Sequence, residues 1–222
     1  MNKTVIALDG PSGAGKSSLA KEIAKRLGIV YLDTGALYRT VGLHVKNNNA
    51  DPKDESVVAP LLEGLDIDVV IEDGAQQVYL NGKSVGDSIR TPEMSMYASA
   101  VSALPVVRAF LLDTQRAFAR RSSVIMDGRD IGTVVLPDAD VKIFLTASDE
   151  VRAERRLKEL LAKGQQVTFE EVLADMRERD RADSTRAAAP LKKADDAVLL
   201  DNSELDFDGT VKRAIEIIND RG

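Results

Sequence analysis

The chain has 222 residues, 44% of them apolar and 30% charged, which is enough for one α/β domain with a substantial core. It has no cysteine and a single histidine, His44, which excludes disulfides, thiolate metal sites, a cysteine nucleophile and sites built from several histidines. A net charge of −6 argues against general nucleic-acid binding, and no apolar run approaches the ~18 residues of a membrane span. MNKTVIALDG lacks the features of a signal peptide, so we expect a cytoplasmic location.

The first elements are a strand, a glycine-rich loop and a helix. TVIAL (4–8) is a short apolar run that predicts a buried strand, and GPSGAGKS (10–17) follows it. This loop fits G-x-x-x-x-G-K-[ST], a pattern in which backbone amides wrap the phosphates of a nucleotide. We expect Lys16 to reach the β and γ phosphates and the Ser17 hydroxyl to bind Mg²⁺. The helix carries its apolar residues on one face and ends at Gly28.

The segment 64–90 differs from its surroundings, because its apolar and polar residues alternate. It contains the pairs DG (73–74) and NG (81–82), which are strong hairpin signals between β-prone runs. We therefore predict a three-stranded antiparallel insert. Around it, the sequence predicts a strand at 29–33, helices at 36–48 and 54–63, and two helices over 91–120 that are broken around Pro105.

The remaining sequence alternates apolar strands with helices, which implies a parallel sheet covered on both faces and a ligand at its carboxyl edge. Asp127 ends the run VIMD, where a carboxylate could hold the Mg²⁺ shell or simply cap the following turn. The predicted strands are 122–127, 141–146 and 197–201, and the predicted helices are 149–162, 168–184 and 208–220.

The motif does not say which group receives the phosphate. A guanine-reading N-K-x-D is absent, and a motor ATPase usually has a much longer chain. A small-molecule kinase fits the length, with either a hydroxyl or a phosphate as acceptor. A nucleoside monophosphate is a dianion near pH 7, with a second pKa of about 6, so it needs no base. It needs positive charge, and arginine matches phosphate geometry.

Arginines are present in several segments of this acidic chain. Arg179, Asp183 and Arg186 are spaced to share one helix face. An alternative interpretation is a solvated helix with surface ion pairs, which is typical of alternating charges such as RERDR. The other candidates are Arg39, Arg108, Arg129, Arg152, Arg155 and Arg156.

Four segments, GPSGAGKSS, YLDTGALYR, DGRDIGTVVLPDADVKIFL and RERDRADSTRAAAPL, strongly resemble the bacterial cytidylate kinases, and the resemblance covers essentially the whole chain. It implies a single P-loop kinase domain over 1–222, with a five-stranded parallel sheet flanked by helices. It also implies that the insert enlarges the monophosphate site and that a helical lid lies at about 150–166. The implied reaction is direct in-line transfer from MgATP to CMP or dCMP without a covalent intermediate. The implied oligomeric state is a monomer.

The resemblance also assigns roles to individual residues. It implies that Ser99, Arg108 and Asp130 read cytosine, while Asp183 and Arg179 contact the sugar. A carboxylate suits the exocyclic amine of cytosine, and an arginine suits its acceptors. The implied ligands of the acceptor phosphate are Thr34, Arg39, Arg129 and Arg186. The implied catalytic residues are Lys16, Arg129, Arg155 and Arg186. The implied metal residues are Ser17 and Asp127, which would bind the ion directly or through water. The implied ATP site comprises Gly10, Pro11, Ser12, Gly13, Ala14, Gly15, Lys16, Ser17 and Ser18, with Arg155 and Arg156 in the lid and Asn202 near the adenine.

Two other hypotheses stay open at this point. A kinase with a hydroxyl acceptor, such as shikimate kinase, shares the fold, and Asp33 lies where those enzymes keep an acidic residue. A non-enzymatic protein could use ATP binding only to change shape. Formation of CDP would separate both from a cytidylate kinase.

Overall fold

The computed structural model describes residues 3–72 and 74–221. The strands are β1 (Val5–Asp9), β2 (Val30–Asp33), β3 (Ile67–Glu72), β4 (Ala75–Leu80), β5 (Lys83–Ser84), β6 (Val124–Gly128), β7 (Val141–Thr146) and β8 (Val198–Asp201). The α-helices are α1 (Lys16–Leu27), α2 (Thr34–Asn47), α3 (Glu55–Leu61), α4 (Pro92–Ser102), α5 (Pro105–Arg121), α6 (Asp149–Ala162), α7 (Phe169–Thr185) and α8 (Phe207–Arg221).

The main sheet has five parallel strands in the order β2-β6-β1-β7-β8, with β1 at its centre. Along β1, Ile6 and Leu8 belong to the apolar cluster that includes α1 and α8, whereas Ala7 belongs to the cluster that includes α2 and α5. Strands buried on both faces need nearly continuous apolar sequence, as these strands have. The prediction of a five-stranded parallel sheet flanked by helices is confirmed.

The second sheet is the predicted antiparallel insert, with strand order β3-β4-β5. Between β4 and β5, Asn81 and Gly82 have φ of 49° and 75°, as a tight two-residue hairpin turn with a right-handed twist requires. The other predicted turn includes Asp73, which lies outside the described residues. Gln76 on β4 binds the edge of the main sheet: its Oε1 accepts the Asp33 N–H at 2.7 Å and its Nε2 donates to the Asp33 carbonyl at 3.2 Å.

The element boundaries differ from the predicted ones mainly where a side chain caps a helix. Helix α2 begins at Thr34 because the Asp33 carboxylate accepts the N–H of Ala36 at 2.9 Å. Helix α7 ends at Thr185, so Arg186 follows the helix instead of sharing its face with Arg179. Sequence patterns also missed a 3₁₀ turn over Gly86–Ile89 and a π turn over Ile131–Val135.

Helices α4 and α5 are joined at the predicted break before Pro105, where the chain bends by 101°. Within the described ranges, no single helix has the length and apolar character to cross a membrane. This bent pair meets the test only when its two helices are counted together, and then by length and composition alone.

Candidate active site

A cleft of about 680 Å³ opens at the carboxyl edge of the main sheet, and both ends of the predicted site line it. Gly10, Pro11 and Ala14 do not line it, although they were predicted to bind ATP. The predicted site residues that line the cleft are Ser12, Gly13, Gly15, Lys16, Ser17, Ser18, Thr34, Arg39, Ser99, Arg108, Asp127, Arg129, Asp130, Arg155, Arg156, Arg179, Asp183, Arg186 and Asn202.

The phosphate loop, residues 10–17, connects β1 to the N-terminus of α1. At Gly10 the φ is +152°, and a Cβ there would lie 2.0 Å from the carbonyl oxygen of Leu145. Gly15, the residue before α1, has a φ of 91°. Glycine is therefore needed at both positions, and the free N–H groups at the start of α1 face a site suited to anions.

Lys16 is the first residue of α1, and its side chain is buried in the phosphate loop. Its Nζ donates to the carbonyl oxygen of Pro11 at 2.7 Å. Burial, and next the positive charge of Arg129, hold the pKa of Lys16 well below its ordinary value. A negatively charged phosphate beside this amine would favour its charged form.

Asp127, near the end of β6, forms an oxygen cluster with two hydroxyls. Its Oδ2 accepts from Ser17 Oγ at 2.8 Å, and its Oδ1 accepts from the Tyr31 hydroxyl at 2.9 Å. Burial, and next the charge of Asp33, raise the pKa of Asp127. A cation at this carboxylate would offset the cost of burying its charge.

At the end of the cleft away from the phosphate loop, a carboxylate lies beside two guanidinium groups. Asp130 is 4% exposed and forms ion pairs with Arg108 and, at 3.5 Å, with Arg186. Arg108 also donates to the carbonyl oxygen of Ser102 at 3.0 Å and lies 5.6 Å from the centre of the Tyr38 ring. Both Tyr38 and Ser102, which the sequence analysis missed, help to hold these charges in place.

Between the two ends lies a group of arginines held by carboxylates. Arg39 pairs with Asp33 at 2.8 Å, and Arg129 pairs with Asp183 at 2.8 Å. Arg179 differs, because its buried Nε has no hydrogen-bond partner among the described residues. Burial, and next the charge of Arg129, lower the pKa of Arg179 to about 10. This cluster of positive charge is suited to an anionic ligand.

The charged helix α7 is divided between cleft and solvent. Arg179 and Asp183 line the cleft. Arg181 and Glu178 form an ion pair whose side chains are 71% and 65% exposed, so the interpretation as a solvated helix is right for them. Sequence periodicity alone does not distinguish the two faces, because both are charged.

Asp9, the last residue of β1, is a buried carboxylate that the sequence analysis missed. Its two oxygens accept the N–H of Ile131 at 2.8 Å and of Gly132 at 2.7 Å, next to Asp130. Burial raises the pKa of Asp9 to about 6, although these two hydrogen bonds act to lower it. Its position after an apolar run, like that of Asp127, was the available signal.

Asn202 follows β8 and has its side chain occupied by protein contacts. Its Oδ1 accepts from Arg155 at 3.0 Å, and its Nδ2 donates to the carbonyl oxygen of Ala14 at 3.2 Å. Arg155 also donates to the Asn202 carbonyl at 2.9 Å. Asn202 thus connects the phosphate loop to Arg155 of α6.

Known proteins resemble this chain over nearly its whole sequence. The family model described as cytidylate kinase matches residues 6–220. A cytidylate kinase of Carboxydothermus hydrogenoformans is 49% identical, covering 96% of this chain and 96% of the relative. A cytidylate kinase of Fervidobacterium nodosum is 50% identical, covering 97% and 96% respectively.

Among solved structures, a shikimate kinase from Bacteroides thetaiotaomicron superimposes with a TM-score of 0.50 at 14% identity, covering 97% of this chain and 98% of that one. At that identity the likeness concerns the fold only. The family model and the relatives, in contrast, match along nearly the full length of the sequence. The chain belongs to the cytidylate kinase family.

Proposed function

We propose that the protein transfers the γ-phosphoryl group of ATP to CMP or dCMP, giving ADP and CDP or dCDP. The observation that carries this proposal is the Asp130–Arg108 pair, which faces the same cleft as the phosphate loop. The arginines between these two ends lie where two anionic phosphates would meet. The acceptor phosphate forms a bond to the γ phosphorus as the bond to the β–γ bridging oxygen breaks, so no covalent enzyme intermediate is needed.

The base would be read by the Asp130–Arg108 pair. The Asp130 carboxylate would accept from the exocyclic amine of cytosine, and Arg108 or Ser99 would donate to its acceptors. Uracil reverses two of these groups and would set a carbonyl against the carboxylate. Because this pair is buried, a mismatch would leave charged groups unpaired and would disfavour UMP.

The acceptor phosphate would be held by arginines that are already oriented. Asp33 holds Arg39 and Asp183 holds Arg129, so each guanidinium is fixed while other N–H groups remain to bind phosphate. Arg186, with its side chain 7% exposed, and Lys16 would add positive charge where negative charge develops during transfer. This arrangement supplies positioning and electrostatic stabilisation, which are the main requirements of phosphoryl transfer.

The oxygen cluster at Asp127 fits Mg²⁺. Ser17 and Asp127 would hold the ion directly or through water, since carboxylate and hydroxyl oxygens are ligands that Mg²⁺ prefers. The described residues contain no group of three or more Asp, Glu, His or Cys side chains arranged for a metal, and Mg²⁺ in kinases takes its remaining ligands from phosphates and water. When bound, Mg²⁺ would neutralise charge on the β and γ phosphates.

Arg155 and Arg156 on α6 line the donor side of the cleft. Closing of these two side chains over ATP would bring positive charge to the transferred group and exclude water, which limits ATP hydrolysis. The sugar contacts of Asp183 and Arg179 are part of the same proposal. Because the Asn202 amide is already bonded to Arg155 and to the Ala14 carbonyl, its contact with adenine would be one of packing.

The structure gives less support to a hydroxyl acceptor. Such a reaction needs a base near the hydroxyl, and Asp33 was the candidate. The carboxylate of Asp33 accepts from the Ala36 N–H at one oxygen and pairs with Arg39 at the other, so neither oxygen is without a partner.

The test is an assay of ADP release with MgATP and a panel of acceptors: CMP, dCMP, UMP, AMP, GMP, shikimate and buffer alone. We expect fast release with CMP and dCMP, slow release with UMP, and loss of activity when Mg²⁺ is chelated. Equal release in every well would indicate a plain ATPase and contradict the proposal. A cytoplasmic location and a monomeric state stay predictions, to be checked by fractionation and by light scattering.

A further inference from the structure

Two charged side chains that do not line the cleft, the buried Arg152 and the half-buried Asp180, contact the phosphate loop. Arg152 of α6 is 4% exposed, and its Nη1 donates to the carbonyl oxygen of Ser12 at 2.7 Å. The N–H of the same residue, Ser12, donates to Asp180 Oδ1 of α7 at 3.0 Å. Arg152 Nη1 also donates to Asp180 Oδ2 at 2.5 Å, so the two side chains that bind Ser12 also bind each other. We call Arg152, Asp180 and the Ser12 peptide groups the Ser12 bracket.

Arg152 makes two further hydrogen bonds, through its Nε and Nη2, so its guanidinium has little freedom. Its Nε donates to the carbonyl oxygen of Ala147 at 3.1 Å, and its Nη2 donates to Asp149 Oδ1 at 2.5 Å. A lysine has neither the planar fork nor enough directed donors to replace these contacts.

The next residue of the loop is packed against the same two helices. Gly13 has a φ of +72°, and a Cβ there would lie 2.7 Å from Cε of Met176 on α7 and 3.4 Å from Cβ of Arg152 on α6. This is independent of the hydrogen bonds at Ser12. Both observations show that the turn at Ser12 and Gly13 is held between α6 and α7.

The same helices carry arginines of the cleft. Arg155 lies one turn after Arg152 on α6, and Arg179 directly precedes Asp180 on α7. Fixing both the N–H and the carbonyl of Ser12 sets the orientation of the peptides that begin the phosphate loop. A small displacement between this loop and the arginines would misalign the two phosphates, and such errors of about 1 Å cost roughly 100-fold in rate.

We propose that Arg152 and Asp180 are positioning residues that hold the phosphate loop in register with the arginines of α6 and α7. This inference rests on the proposed function for its kinetic consequences, but its effect on ATP binding is independent of the acceptor. Neither side chain lines the cleft, so both act through the Ser12 peptide and not on the substrate.

The test uses Asp180→Asn and Arg152→Lys in the chain of 222 residues. Their matched controls are Glu178→Gln and Arg181→Lys, which alter an exposed ion pair on α7, the helix that carries Asp180. For each variant we would measure the melting temperature, the Kd of a non-hydrolysable ATP analogue without acceptor, and KM for ATP and for CMP. We expect a rise in Kd and KM for ATP of about tenfold, the effect of losing one charge-assisted hydrogen bond.

Under this proposal KM for CMP stays within about twofold, and the double variant shows less than the sum of the two single effects because both act on Ser12. A lower melting temperature with unchanged ATP binding in the folded fraction would overturn the proposal, because it indicates a purely structural role. Weakened ATP binding in a chain whose wild type makes no CDP would support the bracket and refute the proposed function instead. Arg152→Lys, which keeps the charge, gives the same test if Asp180→Asn does not fold.

Discussion

The two ends of the cleft are built in different ways. The donor end, where we propose that ATP binds, consists of one continuous loop, residues 10–17, and the N-terminus of α1, and it offers mainly backbone groups. The acceptor end collects side chains from Thr34 to Arg186, and its charged groups are held by ion pairs such as Arg129–Asp183 and Arg108–Asp130. A site made of backbone groups comes from one contiguous segment of sequence, whereas a site made of side chains depends on contacts between distant segments.

The two ends also differ in how their positive charges are compensated. Among the described residues, the Pro11 carbonyl is the only hydrogen-bond partner of the Lys16 amine, and the positive Arg129 lies nearby. Under the proposed function, a bound phosphate would supply the negative charge that this amine lacks. The arginines that pair with Asp33 and Asp183 are compensated within the protein and are therefore oriented in advance. Substitutions should separate the two ends by their effects on ATP and on CMP.

The largest effect is expected at the donor end. Lys16→Ala should lower kcat roughly 1,000-fold, because it removes charge stabilisation from the transferred group. The fold should stay intact, since the buried amine is held by one carbonyl contact in the structure. ADP release and a thermal melt would check both points, with the exposed Lys25→Ala on the same helix as the control. Retained turnover would refute the assigned role.

Asp130→Asn should mainly affect the choice of base. An amide can donate to the carbonyl of uracil, so we expect the ratio of kcat/KM for CMP over UMP to fall by about tenfold or more. The kinetics with the two acceptors provide the measurement, and Asp138→Asn in the exposed loop after the π turn is the control. An unchanged ratio would mean that another residue reads this edge of the base.

Asp9 lies between the phosphate loop and the segment after Asp130, and its titration should change the free energy of unfolding. Its native pKa of about 6 exceeds the ordinary 3.8, so its protonated form favours the native state, and this contribution is lost as pH rises through 6. Relative to Asp9→Asn, the wild type should lose about 1.4 kcal/mol of unfolding free energy between pH 5 and 7.5. Urea titrations of both proteins at the two pH values would show this. A parallel pH dependence of wild type and variant would contradict it.

The smallest effect is expected at the insert. Gln76→Ala removes two hydrogen bonds to the Asp33 backbone, and Asp33 holds Arg39. We expect KM for CMP to rise about threefold while KM for ATP is unchanged, in keeping with the modest worth of neutral hydrogen bonds. Gln77→Ala, at the next position of β4, is the control. A change in KM for ATP alone would place the insert at the wrong end of the cleft.

The sequence predicted the order of strands and helices well, because buried parallel strands and hairpin turns have strong local patterns. Local motifs also predicted a glycine-rich loop between β1 and α1 and an aspartate, Asp127, near the end of a strand, and both line the cleft in part or in full. The contacts of Asp9 and Asp180 were missed, since their partners, Ile131 and Ser12, lie more than one hundred residues away in sequence. The charges on α7 show the same limit: Arg179 and Arg181 look alike in sequence, and only packing separates the cleft from solvent.

The contact between Gln76 and Asp33 also has a consequence for the edge of the main sheet. β2 is an outer strand, and an outer strand offers unpaired N–H and carbonyl groups to any other extended chain. The amide of Gln76 occupies both groups of Asp33 as a neighbouring peptide unit would. Gln76 therefore leaves the backbone groups of Asp33 without a free position for pairing with another extended chain at this edge.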